Sequence, residues 1–148
     1  MILQNYKDFP RIGHIIGLDW GARRCGVAVS DEKRSFVFER PQINVKNQNE
    51  LVDCITELIN DEKISGVVIG LPLHADGTDS ETTKQVRDFA ELLSDKIDLP
   101  ILFIEENLTS TMAEQEIGHK NMFKMKQKLD SVSARIILEN AISLLKRN

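Results

Sequence analysis

No stretch of the 148 residues approaches the roughly 20 consecutive apolar residues that a membrane helix requires. The opening residues, Met1 to Asp8, lack the basic segment and following apolar run of a signal peptide. A cytoplasmic protein with no membrane partner is therefore expected. Cysteine is scarce as well. Cys25 and Cys54 lie far apart and form no ligand pair, which argues against a disulfide framework or a zinc site. Both read as buried free thiols, Cys25 in a strand and Cys54 on the apolar face of a helix. His14, His74 and His119 are not at ligand spacing either. Positive charge is in deficit, with a formal net charge of −4. That argues against a protein that coats nucleic acid, because non-specific affinity comes from many Lys and Arg contacts to phosphate. It leaves room for an enzyme that touches nucleic acid at one place.

What is present is an ordinary globular composition, 41% hydrophobic and 28% charged. The length suits one domain with a real core. Residues 1–13 mix polar and apolar side chains around Pro10 and Gly13 and read as a loosely packed N-terminal arm. A first strand is expected over about His14 to Trp20, and a second over about Cys25 to Asp31. A third covers about Phe36 to Val45, bent or at an edge because of Pro41. Asn47 or Asn49 can cap a helix whose stripe is Leu51, Cys54, Ile55, Leu58 and Ile59. Gly66 to Gly70 is a continuous apolar run, as in a strand covered on both faces. Asp79 or Ser80 can cap a second helix carrying Val86, Phe89, Ala90 and Leu93. Ile101 to Ile104 is a fifth strand. A short helix is expected from about Thr109 to Gly118. His119 to Lys128 reads as a mobile basic loop, and a last helix as running from about Leu129 to Lys146, with Leu129, Val132, Ile136 and Leu144 facing the core. The order β-β-β-α-β-α-β-α-α implies an α/β fold. Its mixed five-stranded sheet combines a three-strand antiparallel meander with two parallel strands, and helices flank it.

Three acids fall at informative places. Asp19 ends the first strand, Glu106 follows the fifth, and Asp130 lies in the first turn expected of the last helix. Parallel first, fourth and fifth strands would put the first two at the carboxyl edge of the sheet, where open α/β sheets place their sites. Converging carboxylates repel one another unless a cation is present. Oxygen ligands without a His or Cys cluster point to Mg²⁺ or Mn²⁺. Each acid also has a plainer reading: Asp19 as a turn residue, Glu106 as a solvated strand end, Asp130 as helix-dipole compensation.

Four blocks of sequence resemble the YqgF-type, RuvX-like family of Holliday-junction resolvase homologues, described as nucleases of pre-16S ribosomal RNA 5′-end processing. They are Gly17-Leu18-Asp19-Trp20-Gly21 with Arg24 to Asp31; Val67 to Pro72 with Asp76-Gly77-Thr78; Glu105 to Ser110 with Ala113; and Lys128-Leu129-Asp130 with Ser133-Ala134 and Ile137-Leu138. The likeness runs from about His14 to Leu145. It implies that residues 14–148 form a single RNase H-like nuclease domain, and that Asp19, Glu106 and Asp130 are its metal-binding catalytic acids. Arg24 and the Gly70-Leu71-Pro72 loop would face substrate. On this reading Arg23, Arg24, Lys120, Lys124, Lys126 and Lys128 hold phosphates of a structured RNA beside the site.

The chain departs from the family pattern at two places. Glu105 and Asn107 stand where the family usually has Asp and Arg, so a positive charge beside the catalytic glutamate is lost. Ser133 stands one turn after Asp130, where resolvases of the RuvC type carry a fourth acid. The alternatives are a resolvase of four-way DNA junctions, which needs a stable dimer, and a single-lobe actin-like nucleotide-binding or interaction module. The second of these is suggested by Gly17-x-Asp19-x-Gly21. No apolar stripe for a dimer is evident in the sequence, so a monomer or weak homodimer is expected.

Overall fold

The computed structural model describes residues 1–106 and 122–147, the side chains of 122–131 excepted. Five strands, β1 (His14–Asp19), β2 (Arg24–Ser30), β3 (Val37–Asn44), β4 (Ile64–Leu71) and β5 (Ile101–Glu105), form one sheet in the order β3-β2-β1-β4-β5. β1 pairs antiparallel with β2, and β2 with β3. β4 lies parallel to both β1 and β5. The expected meander and parallel pair are therefore present. β3 is an edge strand, which tolerates Pro41 because an edge strand needs fewer ladder donors.

Helices α1 (Gln48–Asp61) and α2 (Glu81–Lys96) cover one face of the sheet. The Asn47 side chain caps α1 by accepting from the Glu50 amide. Ser80 and Thr83 form a reciprocal capping box at the start of α2. Val86, Phe89, Ala90 and Leu93 are buried as expected, whereas Cys54 and Leu58 of α1 are only half-buried. The long α3 (Met122–Lys146) covers the other face. Val132 and Ile136 are buried, but its closest contacts with the sheet come from Ala134, Ile137, Leu138 and Ala141, all fully buried.

Two expectations fail here. The basic segment read as a loop to Lys128 is helical from Met122, so Asp130 is the ninth residue of α3 and not in its first turn. Met-Phe-Lys-Met-Lys-Gln-Lys contains no glycine, proline or β-branched residue, and Lys, Met and Gln are good helix formers. Propensity carried the helix where hydrophobic periodicity gave no signal. The helix expected over 109–118 and the residues 119–121 lie outside the described residues. The N-terminal arm is also packed more closely than expected. Ile2 bridges Ile101 in parallel, the Leu3 amide donates to Ile101 O at 2.8 Å, and the Ile101 amide donates to Met1 O at 2.8 Å. The arm thus satisfies backbone groups that the outer edge of β5 would otherwise leave open. Phe9 is buried against the α3 face. Among the described residues, no helix is long and apolar enough to cross a membrane.

Candidate active site at the carboxyl edge of the sheet

The pleat of the sheet decides which side chains meet α3. Ile15 of β1, Val68 of β4 and Leu102 of β5 all pack in the cluster under that helix. Alternation then puts Gly17 and Asp19, Gly70, and Ile104 and Glu106 on the same face. Register brings the ends of these strands level. Leu18 pairs with Ile69, so the next residues, Asp19 and Gly70, stand side by side; Gly70 pairs with Ile104, and Glu106 follows two residues further along, just past the end of β5 on the same carboxyl edge. Glu105 pairs with Leu71, is exposed, and falls on the opposite side of the pleat. Of the two adjacent glutamates, only Glu106 faces α3.

Two glycines make the site compact. A Cβ at Gly70 would lie 2.9 Å from Glu106 Cδ, 3.0 Å from Glu106 Oε2 and 2.4 Å from Ile137 Cδ1. The Glu106 carboxyl group therefore rests against bare backbone, beside α3. A Cβ at Gly17 would lie 2.8 Å from Leu138 Cβ and 3.2 Å from Ala134 O. This brings the helix backbone down onto β1 one turn after Asp130. Burial is the cause that pushes the Glu106 carboxyl up to about 7.

Asp130 is placed by the backbone alone, four residues before Ala134 on the helix that crosses both glycines; its side chain lies outside the described residues. Among the described residues, no three His, Cys, Asp or Glu side chains are grouped to hold a metal. Asp19 and Glu106 are two members of the expected set of three. Both are oxygen donors, and Glu106 is a half-buried acid whose ionised form is penalised by desolvation, so this end of the site suits a hard divalent cation.

The cationic residues are more scattered. Arg23 is exposed on the β1–β2 turn, and its carbonyl accepts from the Val45 amide at 2.9 Å. It borders a cleft of about 470 Å³ with Trp20, Lys46, Gln48 and Phe89. Arg24 opens β2 opposite Asn44 and is half-buried. Lys124, Lys126 and Lys128 lie on the first turns of α3, and Lys120 is outside the described residues. Trp20 packs against the core with its ring centroid 6.4 Å from that of Phe89, and its Nε1 donates to Gln48 Oε1 at 2.8 Å. Gln48 in turn donates to Ala22 O at 2.9 Å and ties α1 to the turn after Asp19. Sequence reasoning missed this brace, because a glutamine at a helix start carries no pattern of its own. His74 is exposed in a turn closed by Asp76 and Thr78, away from any ligand pair.

The sequence model of the RuvX family, described as Holliday junction resolvase, matches residues 13–144. The chain belongs to the RuvX family. Among its curated relatives, a protein of Maridesulfovibrio salexigens named "Putative pre-16S rRNA nuclease" is 39% identical over 127 residues, covering 84% of this chain and 94% of the relative. A Pelagibacter ubique protein of the same name is 35% identical over 132 residues, covering 88% and 87%. Among solved structures, Thermus thermophilus RuvC in complex with Holliday junction substrate aligns with a TM-score of 0.58 at 8% identity, covering 90% of this chain and 96% of that one. At that identity the likeness concerns the fold, and this RuvX chain has the RNase H-like fold that its sequence blocks imply.

Proposed function

We propose that the chain is a divalent-metal-dependent nuclease that hydrolyses phosphodiester bonds in structured RNA, processing the 5′ end of pre-16S rRNA. One observation carries this reading. The half-buried Glu106 carboxyl and Asp19 share the α3 face of the carboxyl edge, beneath the helix that carries Asp130. Family membership supports the reaction class, and the names of the relatives support the substrate.

Asp19, Glu106 and Asp130 would hold Mg²⁺ or Mn²⁺. A divalent ion in such a site lowers the pKa of water and stabilises the departing oxygen of an in-line displacement. The chain's own groups do the rest. Gly70 leaves the space in which the Glu106 carboxylate is held. The Trp20–Gln48–Ala22 brace fixes the turn after Asp19. Arg23 and Arg24, with Lys120, Lys124, Lys126 and Lys128, bind phosphates on either side of the reacting bond. The working unit is a monomer or weak homodimer.

The family description favours a second substrate, the four-way DNA junction. The deciding experiment incubates wild type and Asp19→Asn with precursor 16S rRNA and with a synthetic junction, each with Mg²⁺ or Mn²⁺. Cleavage of the RNA by wild type alone supports the proposal. Cleavage of the junction alone, by a dimer, supports the resolvase. Unchanged cleavage by a folded Asp19→Asn overturns the site assignment. Tight ATP binding with neither substrate cut would place the chain with nucleotide-binding modules.

A further inference from the structure

At the other end of α3 lies a second, separate concentration of charge. The turn Tyr6–Asp8, the β2–β3 turn and the last turns of α3 enclose a pocket of about 170 Å³. Among the described residues its polar lining includes five cations, Lys7, Arg11, Lys33, Arg34 and Lys146, and no acid. In a chain with a net charge of −4 this is a marked local excess. Helix-dipole compensation accounts for Lys146 at the end of α3. It does not account for Lys7, Lys33 and Arg34, which come from two other segments.

Arg34 is the distinctive member. It is 5% exposed, at a left-handed backbone position with φ of 59°. Its Nε donates to Gly13 O at 3.0 Å and its Nη1 to Pro10 O at 2.6 Å. Its Cζ sits 5.7 Å from the centre of the Phe9 ring. Both acceptors are neutral carbonyls, and among the described residues no carboxylate is hydrogen-bonded to the guanidinium. The remaining nitrogen, Nη2, is buried and has no acceptor among the described residues. A buried donor without an acceptor is costly, and a buried guanidinium with an open donor is well suited to an oxyanion. Burial also lowers the Arg34 pKa from its usual value. An adjoining cavity of about 320 Å³ is reached past Arg34, Ile142 and Lys146, and adds Ser35, Ser143 and Glu139. The first pocket is small and cationic, and the second is larger and mixed. That division suits a compact, multiply charged group with something less charged attached.

We propose that this pocket binds a terminal phosphate, the monoester or oligophosphate end of a nucleotide or of a nucleic acid. Arg34 and the surrounding lysines are its ligands, and Phe9 and Tyr6 form the apolar wall. The site is independent of the acidic edge. It lies beyond Ala134 by about three turns of α3.

The test uses pyrophosphate as the probe, titrated into isotope-labelled protein at constant ionic strength and followed by NMR. Saturable shifts are expected at Tyr6, Phe9, Ser35 and Ile142. The double variant Lys7→Ala/Lys146→Ala alters only exposed side chains and should weaken binding by about tenfold or more. Lys84→Ala/Lys96→Ala, on α2, should leave it unchanged. Arg34→Lys should weaken binding while keeping charge, and the exposed double variant decides the matter if this one fails to fold. Non-saturable shifts, shifts confined to the Asp19–Glu106 edge, or equal losses in both double variants would overturn the proposal. Competition by short ribonucleotides then identifies the source. Displacement by a 5′-phosphorylated strand but not by its 5′-hydroxyl twin indicates a nucleic-acid end. Displacement by neither indicates a free nucleotide or oligophosphate. Equal displacement by both means internal diesters are bound, and the terminal-phosphate assignment falls.

Discussion

The Glu106 carboxylate lies on Gly70. A methyl group at position 70 would stand 3.0 Å from Glu106 Oε2 and 2.9 Å from its Cδ. The Ile137 methyl, at 2.4 Å, is the flexible end of a side chain and can move aside; the carboxylate would have to leave its place at the edge. Gly70→Ala should therefore cost activity more than stability. We expect a loss of about 1–3 kcal/mol in unfolding free energy, as overpacking usually costs. Cleavage should fall by about tenfold or more, because positioning errors of this size are amplified at a reacting centre. Chemical denaturation and single-turnover cleavage measure the two separately. A normal rate in Gly70→Ala would show that Glu106 need not sit where it does.

Glu106 also predicts a pH dependence. Burial holds its carboxyl at about 7, against an ordinary value of 4.5. In the metal-free folded chain it therefore stays protonated to higher pH than in the unfolded chain. Its contribution to stability is fully present below about 4.5 and is lost as pH rises through about 7. Glu106→Gln should remove this fall, so the metal-free variant should gain on wild type across that window in pH-dependent denaturation. Metal binding needs the ionised form. The apparent affinity for Mn²⁺ should rise with pH up to about 7 and then level, with proton release visible by calorimetry in buffers of different ionisation enthalpy. Glu106→Gln should bind weakly with a flat profile.

Gly17 tests the fold without touching an acid. A Cβ there would meet Leu138 Cβ at 2.8 Å and the Ala134 carbonyl at 3.2 Å, both fixed parts of α3. Neither can yield as a side-chain tip does. Gly17→Ala should lift the helix from β1 and destabilise the chain by about 1–3 kcal/mol, a Tm loss of several degrees. Because α3 also carries Asp130, activity should fall at temperatures where the variant is still folded. Thermal denaturation beside cleavage at low temperature checks both parts.

Much of this was legible in the sequence where one pattern dominated. The alternation through Val27 and Val29, the stripe Val86–Phe89–Ala90–Leu93 and the glycine-bounded run before Leu71 gave strands and helices close to those found. Pro41 marked an edge, and β3 is one. Asp19 and Glu106 were placed at strand ends, and parallel pairing of β1, β4 and β5 does set those ends at one edge of the sheet. The support beneath them was not legible. Nothing in a single glycine says that a carboxylate will lie on it, and nothing in Gln48 announces a partner in Trp20. The reach of α3 was misjudged because a lysine-rich segment without an apolar stripe still forms helix when nothing in it breaks one. Arg34 was passed over because an arginine in a turn reads as solvated; its burial depends on Pro10 and Gly13, brought close only by the fold.

The helical reading of residues 122–128 changes what the lysines can do. In a loop, Lys124, Lys126 and Lys128 would be equivalent. On α3 they are not, because each residue turns about 100° from the last. Lys126 precedes Asp130 by four residues and Ala134 by eight, and Ala134 is buried on β1. Position 126 therefore falls within about 40° of position 130 around the helix axis, nearer to it than the other two lysines. Position 124 falls about 120° and position 128 about 160° round the helix axis from position 130. Lys126→Ala should reduce cleavage by about tenfold and weaken RNA binding, lowering the salt slope by about one. Lys124→Ala and Lys128→Ala should each change cleavage by less than about twofold. Binding titrations over a range of salt, run beside single-turnover rates, separate the three. Equal losses at all three positions would mean that RNA wraps the helix and does not simply cross its sheet-facing side.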